Sequence, residues 1–380
     1  MLITVPGIHA SAVTHAFVVG VSHYPFADGP EATADGESFG ITNLTGAARS
    51  ASDIAAWLLD EYRNPGAPLA SVRVLLSPAD REELNERVAR ELAGPAPATR
   101  DSVVSEFDEF RQACRENPDN IAFVYFAGHG IQLNKRGAVV LLHDFGVMGK
   151  GNKLYGSIDV AGCRDAMDET GNAHHQIWFS DACRQLPDIA RKFETLAGAY
   201  TADEGVGQVD ASPLFLASSS RESAFGAVGG TTIFSAALLE ALRGDAAVGP
   251  TNDCDDWHVS TTGLIRTLQD KVDAILAGRE EQTIDITGRV REMVAHRFAK
   301  PPDVDIVVNL LPADASPVPV HELLFDGEKS QDIDQSWPLR FRGGAGLYLL
   351  KVTVEPPLTK GVNKPLNALP PGCQHDVRVS

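Results

Sequence analysis

Residues 120–130 read NIAFVYFAGHG, and residues 175–184 read HQIWFSDACR. Each is an unbroken apolar run of strand length that stops in small or polar residues. Continuous apolar runs, as opposed to alternating ones, mark strands buried on both faces, the pattern of a parallel sheet covered by helices. The same signal recurs at AFVVGV (16–21), SVRVLLS (71–77), GAVVLLHD (137–144) and PLFLASSS (213–220). Helical spacing fills the intervals. In LTGAARSASDIAAWLLDEY, Ala48, Ala51, Ile54, Ala55, Leu58 and Leu59 fall on one side. Further helices are expected at 79–93, at 101–116 with Val103, Val104, Phe107 and Phe110 inward, at 158–168, at 231–244 ending in Gly244, and at 260–278. Strands alternating with helices predict an α/β domain with a mostly parallel central sheet flanked by helices.

The character changes after KPPD (300–303). DVDIVVNLL, PVHELLF, PLRFRG, GLYLLKVTVEPP and HDVRV are short β segments between Pro and Gly turns. Residues 303–380 are expected to form a small C-terminal all-β, sandwich-like domain. The segment 196–212, LAGAYTADEGVGQVDAS, is small and acidic without Lys or Arg, and reads as an exposed connector.

The chain has 380 residues and a formal net charge of −18. That charge suits a cationic partner and argues against nucleic acid. The five cysteines, Cys114, Cys163, Cys183, Cys254 and Cys373, include no CxxC pair. They argue against a disulfide framework or zinc site and fit a reducing compartment. No Lys or Arg precedes the first apolar stretch, and no apolar run is long enough to cross a bilayer. A soluble cytoplasmic protein with no membrane contact is expected.

In a parallel α/β sheet, ligands bind beyond the carboxyl ends of the strands. His129 and Cys183 each sit just past such an end. If the two strands are neighbours, a thiol and an imidazole face one another. The imidazole helps form the thiolate and can protonate an amine leaving group. The backbone N–H groups of Gly130 and Cys183 are placed to address a developing oxyanion. Cys114 and Cys163 fall in expected helices, and Cys254 and Cys373 in expected loops; all four read as structural.

FVYFAGHG, IWFSDACR, LFLASSSRESAFG and TTIFSAALLEALRG together resemble the caspase-like peptidase family (peptidase C14-like), in particular its prokaryotic and metacaspase branch, over residues 14–300. The interval 183 − 129 = 54 is close to the roughly 50 of the caspase pattern. That pattern has Gln-Ala-Cys-Arg-Gly; here Asp181, Ala182, Cys183, Arg184 and Gln185 depart at the first and last positions. The resemblance implies a caspase-like three-layer fold for a peptidase domain at 1–300, with a large part at 14–195 and a small part at 213–300. It also implies a cysteine endopeptidase with Cys183 as nucleophile, His129 as acid/base partner, and Gly130 and Cys183 as oxyanion donors. In metacaspases an acid two residues before the cysteine lines the pocket for the residue before the cut, with a second acid from the early helix. Asp181 and Asp53 match these positions. Two carboxylates at one pocket favour Arg or Lys in protein or peptide substrates; cleavage after Asp is the alternative.

The connector's only charges are Asp203, Glu204 and Asp210, so self-processing by a basic-specific enzyme would fall upstream, near Arg191 and Lys192. The family further implies a role in regulated death or antiviral defence and an activating or inhibitory protein partner. Some metacaspases use calcium, but no calcium-loop motif stands in this sequence. No metal or cofactor is expected. A non-catalytic scaffold and a cysteine esterase are the rival readings.

Overall fold

The structure is a computed structural model. It describes the chain except for residues 9, 29–35, 37, 92–96, 133–137, 151, 153, 169–170, 183–198, 201–206, 208, 220–229, 251–254, 279–280, 316–317, 326–327 and 330–335. In chain order the strands are β1 (Leu2–Thr4), β2 (Thr14–Val21), β3 (Leu69–Ser77), β4 (Ile121–Gly128), β5 (Gly130–Gln132), β6 (Ala138–Leu141), β7 (Ser157–Ile158), β8 (His175–Ala182), β9 (Ser212–Ser219), β10 (Ala247–Val248), β11 (His258–Ser260), β12 (Gln282–Arg289), β13 (Val294–Arg297), β14 (Asp303–Leu311), β15 (Val320–Phe325), β16 (Glu328–Lys329), β17 (Leu339–Gly344), β18 (Gly346–Thr353), β19 (Val362–Ala368) and β20 (Gly372–Arg378). The helices are α1 (Ala47–Asp60), α2 (Glu86–Glu91), α3 (Arg100–Cys114), α4 (Val160–Ala166), α5 (Ile233–Glu240) and α6 (Thr261–Leu276). These elements form two compact units, residues 1–239 with 268–295, and residues 240–267 with 296–380.

The first unit is built on a seven-stranded sheet of order β1-β3-β2-β4-β8-β9-β12. Its five inner strands run parallel, as their apolar runs predict, while β1 and β12 pair antiparallel at the two edges. The sheet is therefore mixed. The sequence reading missed both edge strands. β1 is three residues long, and β12 has mostly exposed residues, so neither carries a buried-strand signal.

Period-2 alternation sorts the core residues to two faces. On one face, Phe107 and Phe110 of α3 pack on Phe17 at 5.4 and 5.5 Å between ring centroids, and Phe107 meets Trp178 at 6.3 Å. On the other, Trp57 of α1 meets Phe123 at 6.3 Å, Phe123 meets Phe179 at 5.3 Å, and Phe234 of α5 meets Phe179 at 6.5 Å. Helix, sheet and helix thus form the three layers. α1 comes close to β2 because small residues meet there. A Cβ on Gly20 would lie 2.5 Å from Ala51 Cβ and 2.9 Å from Ala48 Cα.

α2 is shorter than the helix expected over 79–93. Glu82 explains why residues before it leave the helix. Its Oε1 accepts from the Gly46 N–H at 2.9 Å, the Arg49 N–H at 3.0 Å and the Ser22 hydroxyl at 3.0 Å. Its Oε2 accepts from the Ala79 N–H at 2.9 Å. α1 has Gly46 at its N-cap, no side-chain cap bond and no acid in its first turn. Glu82 supplies from another segment the anion that the helix N-terminus favours. The helix expected to run to Gly244 ends at Glu240 and continues as one π turn, Ala241–Asp245, with Gly244 at φ 145°.

In the second unit, β17-β14-β20 and β16-β15-β18-β19 form two sheets. β14 alternates strictly, with Val304, Ile306, Val308 and Leu310 buried. These residues join Leu323, Leu350, Leu366 and Val377 in one hydrophobic cluster drawn from both sheets. Cys373, expected in a loop, lies on β20. None of the described helices is long and apolar enough to cross a membrane.

Removing the Glu82 carboxylate in Glu82→Ala leaves the first turn of α1 uncapped and is expected to lower stability by about 2 kcal/mol. Urea denaturation measures this, and an unchanged midpoint would show that the cap contributes nothing.

Candidate active site

β4 and β8 are adjacent and parallel, with Ala127 opposite Asp181 and Gly128 opposite Ala182. The next residue along β4 is His129, and the next along β8 is Cys183. Neighbouring strands lie about 4.8 Å apart, so the register sets His129 one residue past the carboxyl end of β4, beside the end of β8 at Ala182. Cys183 itself lies outside the described residues, as do Arg191, Lys192, Asp203 and Glu204. Gly130 opens β5 and pairs with Val140 of β6.

His129 is held at three points. Its backbone N–H donates to the Tyr24 hydroxyl at 2.8 Å. Its carbonyl accepts from the Leu141 N–H at 2.8 Å. Its ring Nε2 lies 2.7 Å from the Thr42 carbonyl oxygen, and the ring packs on Tyr24 at 5.1 Å. A carbonyl only accepts, so Nε2 carries the proton. In the neutral ring, Nδ1 is then the basic nitrogen. Tyr24 is fixed in turn: it is buried, and its own N–H donates to Asn43 Oδ1 at 2.7 Å. Gly128 is required for this contact, because a Cβ there would lie 2.9 Å from the Tyr24 hydroxyl.

Asp181 sits on the α1/α5 face of the sheet, two residues beyond Phe179, and is only 2% exposed. Its Oδ2 accepts from the Tyr125 hydroxyl at 2.7 Å and from the Thr232 hydroxyl. Thr232 is itself anchored to α1: its N–H donates to Ser50 Oγ at 2.8 Å, and the two hydroxyl oxygens are 3.1 Å apart. Among the described residues no cation acts on the Asp181 proton. Burial raises its pKa from 3.8 to about 6, opposed by hydrogen bonds from Thr232, Tyr125 and the Ser235 backbone. Burial and the nearby carboxylate push the Tyr125 hydroxyl well above its ordinary range, so it remains a donor.

Asp53 is placed differently. Its Oδ2 accepts from Arg49 Nε at 3.0 Å, and its Oδ1 from Asn85 Nδ2 at 2.7 Å. These partners are not shared with Asp181, so the hydrogen bonds do not join the two carboxylates expected to form one pocket. A guanidinium one helical turn away, at i−4, and the loop before α2 hold Asp53 instead. The α1 residue tied to Asp181 through Thr232 is Ser50. Tyr24, Thr42, Ser50, Tyr125 and Thr232 were not assigned from sequence. Only Tyr125 left a trace there, as a polar atom inside an otherwise apolar strand.

The described part of the site is thus a histidine held just past the end of β4 and a buried carboxylate on the adjacent parallel strand β8. The family model described as the caspase domain matches residues 14–300, and the chain belongs to that family. At that level it is a cysteine peptidase, whose substrates are proteins. Among solved structures, the crystal structure of caspase-1 from Spodoptera frugiperda matches at 15% identity and a TM-score of 0.35, covering 76% of this chain and 91% of that one. No curated protein matches the chain.

Because the folded state raises the pKa of Asp181, it holds that proton more tightly than the unfolded chain. Stability contributed by this residue is therefore lost as pH rises from about 4 to about 6, then levels off. Relative to Asp181→Asn, which does not titrate, the wild type is expected to lose about 3 kcal/mol across that window. Urea denaturation of both proteins at pH 4, 5, 6 and 8 measures the difference; a flat difference would show that the carboxyl titrates normally.

Proposed function

We propose that the chain is a cysteine endopeptidase that cleaves after Arg or Lys by a Cys183–His129 dyad. The observation that carries the basic specificity is Asp181: a buried carboxylate, two residues before the cysteine, with no cation paired to it among the described residues. An uncompensated buried charge is costly to keep, and perturbed carboxylates of this kind concentrate at functional sites. A substrate cation supplies the missing partner.

In the reaction, His129 Nδ1 takes the thiol proton and Cys183 attacks the scissile carbonyl. The Gly130 and Cys183 N–H groups receive the oxyanion, and the imidazolium returns its proton to the leaving amine. The bond from Nε2 to Thr42 supports this order, since it fixes the tautomer and steadies the imidazolium. Water then hydrolyses the thioester. Asp53 would add its charge to the pocket only by giving up Arg49. No metal or other cofactor enters these steps. The C-terminal strands, read as a sandwich, would bind a substrate or an activating or inhibitory partner, and a role in regulated death or antiviral defence fits such an enzyme.

Peptides that differ only at the residue before the cut test the reading. Cleavage after Lys and Arg, abolished in Cys183→Ala, is expected. The kcat/KM ratio of a Lys peptide to its norleucine isostere should rise with pH through about 6 as Asp181 ionises, while dyad titration cancels in the ratio. Cleavage after Asp would overturn the specificity, and retained activity in Cys183→Ala would overturn the dyad. Full function in the cell without any cleavage would favour the scaffold.

A further inference from the structure

The basic pocket reading leaves open which cation it takes. Arg and Lys make different demands on a carboxylate. A guanidinium binds best as a fork, with one N–H to each oxygen. An ammonium is a point charge and needs only one acceptor position.

The Asp181 carboxylate does not present two equivalent oxygens. Oδ2 receives both the Tyr125 and the Thr232 hydroxyls. Two donors fill the two lone pairs of a carboxylate oxygen. The Thr232 hydroxyl has one way to point. Its oxygen takes the Ser235 N–H at 3.2 Å and lies 3.1 Å from Ser50 Oγ. Its single proton goes to Asp181, so the Ser50 hydroxyl must donate to it. Ser50 Oγ meanwhile accepts the Thr232 N–H. Ser50 and Thr232 are both fully buried, at 0% and 1% exposure. This lock joins α1 to the residue preceding α5, and it withholds one oxygen of the carboxylate from a fork.

Resting on the basic reading above, we propose that Thr232, locked by Ser50, is a specificity-determining residue that restricts the pocket to a single acceptor position and so selects Lys over Arg. The contact with the substrate is one charge-assisted hydrogen bond from the Lys ammonium to Asp181. An Arg entering the same site either loses one arm of its fork or displaces Thr232 from its three partners.

The test compares kcat/KM for otherwise identical peptides with Lys, Arg or Asp before the cut, using the full chain, Thr232→Val and Thr232→Ser. The wild type is expected to favour Lys over Arg by about tenfold, the worth of one charge-assisted hydrogen bond. Thr232→Val opens Oδ2 and should move the ratio toward Arg. It also removes a donor that favours the ionised carboxylate, so the acid limb of Lys cleavage should shift to higher pH. Thr232→Ser keeps the hydroxyl and should restore both. Where Thr232→Val does not fold, as judged by circular dichroism, Tyr125→Phe vacates the same oxygen and should move the ratio the same way. Arg cleaved as well as or better than Lys by the wild type overturns the assignment and leaves the basic reading standing. A ratio that neither variant moves also overturns it. Cleavage only after Asp, or of none of the three peptides, overturns the basic reading and this inference with it.

Discussion

The carboxylate of Asp181 is the group around which the end of the sheet is organised. Removing a charge from water destabilises the fold unless donors replace the lost hydration. Here the donors come from two separate stretches of chain: Tyr125 on β4, and Thr232 with the Ser235 backbone at the start of α5. None of them is charged, and the proton still binds at about pH 6. Among the described residues no cation completes the neutralisation of this carboxylate.

The histidine side of the site follows the opposite principle. His129 is held from several sides. Its backbone is pinned by Tyr24 and Leu141, and its ring by the Thr42 carbonyl. The contact with the Thr42 carbonyl orients the ring and fixes its tautomer. Gly128 belongs to this arrangement although it has no side chain, since any side chain would push into the tyrosine that holds the backbone. The two halves of the site thus combine one firmly held imidazole with one buried carboxylate, on adjacent strands of the same sheet.

What the sequence discloses is what depends on burial along a single strand. β4 and β8 are enclosed on both faces, so they read as continuous apolar runs, and the residues that end those runs stand out. His129, Cys183 and Asp181 stand out in the sequence for that reason. Ser50 and Thr232 were not. They lie 182 residues apart, and each is an ordinary small polar residue in its own segment. Their roles exist only because Gly20 lets α1 settle against β2 and because α5 packs on Phe179. Glu82 shows the same limit from the other side. Local propensity places it in a helix, but three donors elsewhere in the fold, with the Ala79 N–H three residues earlier, outweigh that preference. The partner of Asp53 was not legible, because counting positions along α1 gives no weight to the arginine one turn earlier.

The seam between β8 and β9 has a mechanical consequence. Trp178, Phe179 and Ser180 pair with Leu214, Phe215 and Leu216, and Gln176 adds a bond to the Ala211 carbonyl. Hydrogen bonds and the stacked Phe179 and Phe215 rings therefore fasten β8 to β9 directly, so the strength of this seam does not rest on the covalent link between the two strands.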